Sequence, residues 1–266
     1  MAVAIVLPAR LASTRLPGKL LLSRTGRTVL EHTIGQALTA RKRHPRLFRT
    51  ILVACDDERL AVAARRGGAD AVMTRLDHRS GTDRIVEAVR KTRLKEEIIV
   101  NLQADEPEIA PENLYRVAKL LADAPREVPM ATLAVLIHDE ETWRRPNVVK
   151  VVASAAGRAL YFSRAPIPFI RDGKAPPVWT AQDASDARFA SRPVFGLHHL
   201  GIYAYRRRFL LSFPKLPPSL LEEIEKLEQL RVLEAGYEIL VGLAQANPPG
   251  VDTPEEYEAF VERQRE

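Results

Sequence analysis

The feature that most constrains this chain is an alternation of short apolar runs with helix-length amphipathic stretches. Val3-Ala4-Ile5-Val6-Leu7 is apolar throughout and meets Pro8. Residues 50–55 form a second run, ending in Asp56-Asp57; Ala71-Val72-Met73 is a brief third. Ile98-Ile99-Val100-Asn101-Leu102 is a fourth and leads into Gln103-Ala104-Asp105-Glu106-Pro107. Between and after these runs, residues 28–40, 58–66, 83–95 and 111–123 have helical spacing, with Gly67-Gly68 as one stop. Strands apolar on both faces belong to sheets covered on both sides. The pattern predicts an α/β fold, with a doubly wound, mostly parallel (mixed) sheet and helices on both faces. Ligands of such sheets bind beyond the carboxyl ends of the strands. The loops at 8–19, 56–57, 74–83 and 103–107 all follow strands and are expected to gather on one edge.

The second half is less regular. Residues 130–137, 148–152, 159–162 and 200–205 read as strands. Five prolines between 165 and 193 mark an extended excursion, which reads as a loop, a hairpin or a subunit-contact arm. Leu220, Ile224, Leu227, Leu230 and Leu233 predict one amphipathic helix over 219–235, stopped by Gly236. Thr253-Pro254 has the chemistry of a helix start, with Thr253 as N-cap. No repeat or low-complexity linker is evident. The chain is therefore expected to form a single domain over 1–266, with parts at 1–125, 126–250 and a C-terminal helix at 251–266.

Composition removes several classes. No apolar run is long enough to span a bilayer, and the N-terminus reads as a buried strand rather than a signal peptide. A cytoplasmic protein without a membrane role is expected. The single cysteine, Cys55, excludes an internal disulfide and a cysteine-based zinc site. The formal net charge is +6, with 31 Arg against 9 Lys. Such a balance suits nucleic acid, a membrane surface or a small anionic substrate. The basic residues are spread along the chain, and aromatic residues are only 6%, which argues against a nucleic-acid stacking platform.

Several residues carry chemistry. The segment from Pro8 to Lys19 holds Ala9, Arg10, Ser13, Arg15, Gly18 and Lys19. Polyphosphate needs such cations, hydroxyls and close backbone approach; the alternative is a solvated basic loop. It is not a Walker A loop, because no Gly lies five residues before Gly18 and no Ser or Thr follows Lys19. Asp105 follows a strand on the same edge and suits Mg²⁺ held with phosphates, or else a turn. Asp252 is either a second metal ligand or a capping residue. Arg75 with the run from His78 to Arg84, including Ser80 and Gly81, reads as a base or phosphate contact or as a helix entry. Arg164, with two prolines close behind it, suits a bidentate carboxylate clamp. His199 and Tyr203, four apart in a strand, share a face. Glu228 and Gln229 lie on the polar side of the helix expected at 219–235.

The runs IVLPARLASTRLPGK, SGTDR, VNLQADEPEI, PNVVKVV, ALYFSRAPIPF, HLGIYAY, LEEIEKLEQLRVLEAGYEI and GVDTPEEYE occur in this order. In them the chain resembles the 3-deoxy-manno-octulosonate (Kdo) cytidylyltransferases, a group of sugar nucleotidyltransferases, over essentially its whole length. The resemblance implies a Rossmann-like nucleotidyltransferase fold and a homodimer. It implies a reaction in which CTP and Kdo give CMP-Kdo and pyrophosphate, for lipopolysaccharide synthesis. By the same resemblance Arg10, Lys19 and Asp105 are catalytic. Ala9, Arg10, Ser13, Arg15, Lys19, Arg75, Ser80, Gly81 and Gln103 bind the nucleotide. Arg164, His199, Tyr203, Glu228 and Gln229 bind the sugar acid, and Asp105 and Asp252 hold Mg²⁺. An 8-amino analogue of Kdo or another sugar acid is the nearest alternative substrate. A basic nucleic-acid-binding protein is a remote one, and a non-catalytic relative is disfavoured because Lys19, Asp105 and Asp252 are kept. Ala104 stands where the family reads Gly, and the segment 170–193 matches poorly.

Overall fold

The computed structural model describes residues 1–173, 193–244 and 250–265. The chain parts into two compact units. One comprises Met1–Ala122, Ile202–Pro214 and Ala246–Glu266; the other comprises Asp123–Gly201 and Lys215–Gln245. The first unit therefore takes back two later segments, so it is not a continuous stretch of sequence. The excursion expected near 165–193 falls mostly outside the described residues.

The first unit is built on β1 (Val3–Ala9), β2 (Phe48–Cys55), β3 (Asp70–Met73) and β4 (Ile98–Asn101). They lie in the order β3-β2-β1-β4, all parallel. The last residues of β8 (Gly196–Arg206) add an antiparallel neighbour, pairing Tyr203 with Asn101. Val3 to Leu7 are wholly buried, so each large side chain there contributes about 1.5–3 kcal/mol of hydrophobic stabilisation. Three helices, α1 (Val29–Arg43), α2 (Glu58–Arg66) and α3 (Gly81–Thr92), make the crossovers. From β1 the chain steps outward to β2 and β3, then returns to the far side of β1 as β4. Right-handed crossovers put α1 and α2 on one face and the returning α3 on the other. In agreement, α1 packs on α2, while α3 packs on α6 (Arg207–Ser212). The reversal opens a crevice at the carboxyl ends of β1 and β4, where such sheets bind ligands. The unit is completed by α4 (Pro111–Asp123) and α9 (Pro254–Arg263).

The second unit holds β5 (Met130–Ile137), α5 (Glu140–Arg144), β6 (Lys150–Ala153), β7 (Ala159–Ser163), β9 (Ile239–Leu243) and the first residues of β8. Here β9 is parallel to β5, whereas β6 is antiparallel to both β7 and β8. The sheet is thus mixed. Among the described residues no helix is long and apolar enough to cross a membrane.

Three of the departures from the sequence pattern have a clear local cause. Strand β1 does not stop at Pro8 but continues to Ala9, in register with Ala54 and Cys55. Its pairing with β4 ends at Val6, so the missing proline N–H falls beyond the β4 ladder. Helix α3 starts at Gly81, two residues early, because the Ser80 hydroxyl accepts from Asp83 N at 3.1 Å and caps it. The single helix expected over 219–235 is two: α7 (Leu220–Glu225) and α8 (Gln229–Glu234). Lys226 between them has φ of 55°, which ends α7. The break turns the Glu225 carboxylate onto Ser163 Oγ at 2.6 Å and Arg164 N at 2.9 Å. It also leaves Leu220 and Ile224 exposed while Leu227 and Leu230 are buried.

Candidate active site in the first unit

The loops following β1, β3 and β4 and the segment preceding α9 surround a cavity of about 380 Å³. Arg10, Ser13, Arg15 and Lys19 line it from the first loop. Ser80, Gly81 and Arg84 line it from the start of α3, Gln103, Ala104 and Asp105 from beyond β4, and Asp252 from before α9. Local structure explains the aim of each. Gly18 has φ of 65°, which turns the first loop into a single 3-10 turn beginning at Lys19. Thr253, with Glu256, forms a capping box for α9, so the Asp252 carboxylate is not used as a cap. The Ala104 carbonyl accepts from Thr33 Oγ1 at 2.9 Å, which fixes the turn that carries Asp105.

Electrostatics in the cavity centre on Lys19. Its Nζ donates to Asp105 and, at 2.6 Å, to Asp252; Arg15 also donates to Asp252, at 2.7 Å. Burial pushes the Lys19 pKa down, but the two carboxylates outweigh it and hold the ammonium above its ordinary value. For Asp252 burial acts upward and is overcome by Lys19 and Arg15, leaving the group below the usual carboxylate range. Two acidic side chains that meet on one small cation form an oxygen donor set suited to Mg²⁺ shared with phosphates. Among the described residues no cluster of three or more His, Cys, Asp or Glu has metal-holding geometry. Any ion here would therefore need ligand atoms from a substrate or water.

Not every residue singled out in the sequence reaches this cavity. Ala9 is the buried last residue of β1, and its side chain is not part of the lining. The Arg75 guanidinium pairs with Asp77 at 2.9 Å, is 67% exposed and also stays outside the lining. Of the same run, read as a base or phosphate contact or a helix entry, His78 and Arg84 do line it. Glu106 lies just outside the lining. Burial, followed by the charges of Asp105 and Asp252, pushes its carboxyl up to about 8, so it holds a proton at neutral pH. The signal was present in the consecutive acids Asp105-Glu106, but spacing alone does not tell which of two neighbours turns inward.

The sugar-acid candidates divide between the units. In the second unit, Arg164 is held at several atoms. Its Nε donates to Glu225 O at 2.8 Å and its NH1 to Pro146 O at 3.2 Å. Its own carbonyl accepts from Lys150 Nζ at 2.6 Å. The His199 ring is buried, with Nε2 2.9 Å from Thr132 Oγ1 and the Phe162 ring edge-on at 4.9 Å. Burial pushes its pKa down to about 3, which keeps it neutral. Gln229 is buried, and Glu228 sits at the N-terminal boundary of α8. Tyr203 belongs to the first unit, 5.9 Å from the Tyr205 ring.

A parallel sheet with a topological switch, a cationic loop after β1 and two carboxylates facing it define a nucleotidyltransferase. The chain belongs to the cytidylyltransferase family, whose model matches residues 4–239. It is 45% identical to the 3-deoxy-manno-octulosonate cytidylyltransferase of Rhodopirellula baltica, over 97% of each chain. With that of Geobacter sulfurreducens it shares 44%, over 99% of each. It is also similar to a solved structure of CMP:2-keto-3-deoxy-manno-octonic acid synthetase complexed with CTP. That match has a TM-score of 0.85 at 38% identity and covers 100% of this chain and 99% of the other. A cytidylyltransferase from Leptospira borgpetersenii, at 15% identity and a TM-score of 0.59, shares the fold.

Proposed function

We propose that this enzyme transfers CMP from CTP to the anomeric hydroxyl of Kdo, releasing pyrophosphate, as a cytoplasmic homodimer serving lipopolysaccharide synthesis. The observation that carries the reading is the cavity in which Arg10, Ser13, Arg15 and Lys19 face Asp105 and Asp252. It is supported by the full-length similarity to Kdo cytidylyltransferases.

The chemistry is in-line displacement at the α-phosphorus, so the protein's work is positioning and charge stabilisation. Arg10, Arg15 and Lys19 bind the triphosphate, and Lys19 and Arg10 stabilise charge growing on the leaving pyrophosphate. The start of α3, with Ser80 and Gly81, and Gln103 face the cytosine. A Cβ on Gly81 would lie 3.3 Å from Pro8 Cγ, so the slot there tolerates little added bulk. Asp105 and Asp252 would hold Mg²⁺, which would supply neutralisation of the phosphates and acidification of the sugar hydroxyl. Arg164 binds the sugar carboxylate, with His199, Tyr203, Glu228 and Gln229 about the sugar.

Pyrophosphate release from CTP with a panel of sugar acids tests the reading. Kdo is expected to be turned over best, ahead of its 8-amino analogue and a sialic acid. Turnover of another panel member in its place would reassign the substrate, and no release with any sugar acid would refute the reaction.

A further inference from the structure

Asp56 ties together two of the segments that line the cavity without lining that cavity itself. It follows directly on β2, and its side chain is only 6% exposed. One carboxylate oxygen, Oδ1, accepts from the backbone N–H of Leu11 at 2.9 Å. The other, Oδ2, accepts from Arg84 NH2 at 3.0 Å. Arg84, 4% exposed, donates through NH1 to Thr74 Oγ1 at 2.7 Å and to Arg75 O at 3.3 Å. The Thr74 hydroxyl donates back to Cys55 O at 3.0 Å, one residue before Asp56. The ring thus joins the ends of β2 and β3, the first turn of α3 and the loop after β1.

Stability alone is a poor reason for such a pair. A buried ion pair is often no more stabilising than well-packed apolar residues of the same volume, although losing one partner is costly. What the carboxylate adds is direction, because one oxygen holds the backbone of the first loop and the other a side chain of α3. The tolerance at the start of α3 is small: a Cβ on Gly81 would lie 3.3 Å from Pro8 Cγ, near the end of β1 where the cationic loop begins. A shift of the α3 start against the first loop by the size of a methyl group would reshape the slot.

We propose that Asp56 is a positioning residue for the nucleotide. It sets the gap between the cationic loop and the start of α3, and through that gap it governs CTP affinity and the choice of cytosine over uracil. The inference rests on the cavity being the CTP site. The test compares wild-type enzyme with Asp56→Asn, which keeps an acceptor for Leu11 N–H but turns an NH₂ group toward Arg84. The KM for CTP is expected to rise about tenfold while that for Kdo stays within about twofold. The kcat/KM ratio of CTP over UTP is expected to fall about tenfold. A purely structural role would lower the active fraction and hence kcat, leaving both KM values and the ratio at wild-type levels; that result would overturn the proposal. If Asp56→Asn yields no folded enzyme, Thr74→Val removes one support of Arg84 and leaves Asp56 intact. It is expected to move the same ratio by about threefold, and an unchanged ratio again overturns the proposal. A wild-type enzyme that does not prefer CTP would instead refute the reading of the cavity, whatever the variants do.

Discussion

The site candidates of the two units hold their cations in different ways. In the first, Lys19 and Arg15 are paired with Asp105 and Asp252 side chain to side chain, at the wall of an open cavity. In the second, Lys150 and Arg164 are closed off by backbone. Lys150, wholly buried, donates to the carbonyls of Arg145, Val148 and Arg164, and Arg164 donates to those of Glu225 and Pro146. Side-chain pairs can exchange partners when an anion arrives, whereas cations bound to carbonyls hold the main chain in place. The first arrangement suits capture of a charged ligand, and the second suits a prebuilt frame.

The comparison can be broken most directly at Asp105. Asp105→Asn is expected to lose on the order of 10³ in turnover, measured by pyrophosphate release, with little change in CTP affinity without Mg²⁺. Near-normal turnover would remove Asp105 from the reacting centre. The second unit should respond in stability instead. Lys150→Met strands three carbonyl acceptors and is expected to cost about 2–4 kcal/mol in denaturant unfolding, since unsatisfied buried groups carry their desolvation penalty. Arg164→Lys should raise the KM for Kdo about tenfold, with the KM for CTP unchanged, because the planar fork is lost. An unchanged KM for Kdo would show that the guanidinium serves the frame alone.

The last test is a pH dependence. His199 has its pKa depressed by burial to about 3, so the unfolded chain binds its proton more readily than the folded one does. Its contribution to stability is present above about pH 6.5, the unfolded value, and declines as pH falls from there toward 3. His199→Gln is expected to flatten the stability curve by about one proton in that window, up to about 1.4 kcal/mol per pH unit. An unaltered slope would mean that the ring is not buried as neutral imidazole.

Much of the first unit was legible because its signals are local. Uninterrupted apolar runs, Gly67-Gly68 and the Thr253-Pro254 start each act within a few residues. The bounds of α2 and α4 coincide with those predicted, at 58–66 and 111–123. The second unit was harder to read because long-range partners decide it. The break at Lys226 depends on what Glu225 meets 61 and 62 residues away. The short α5 and α6 and the strand β9 were not anticipated either; α5 and α6 span only five and six residues, too few to show a helical period. In the cavity, the cations and acids could be named from residue type and resemblance, but their mutual pairing could not. Arg75 and Arg84 look equivalent in sequence, yet only Arg84 turns inward, because Asp56 waits for it across the sheet edge.

The bridge made by Lys19 also has a thermodynamic consequence. Lys19, Arg15, Asp105 and Asp252 carry two positive and two negative charges, so the group is neutral as it stands. An anion that takes the two cations for itself abandons two carboxylates, and a metal ion that takes the carboxylates abandons two cations. Each ligand alone must break pairs that the other would mend. Their binding is therefore linked, and linkage is reciprocal: whatever factor the metal adds to nucleotide affinity, the nucleotide adds to metal affinity.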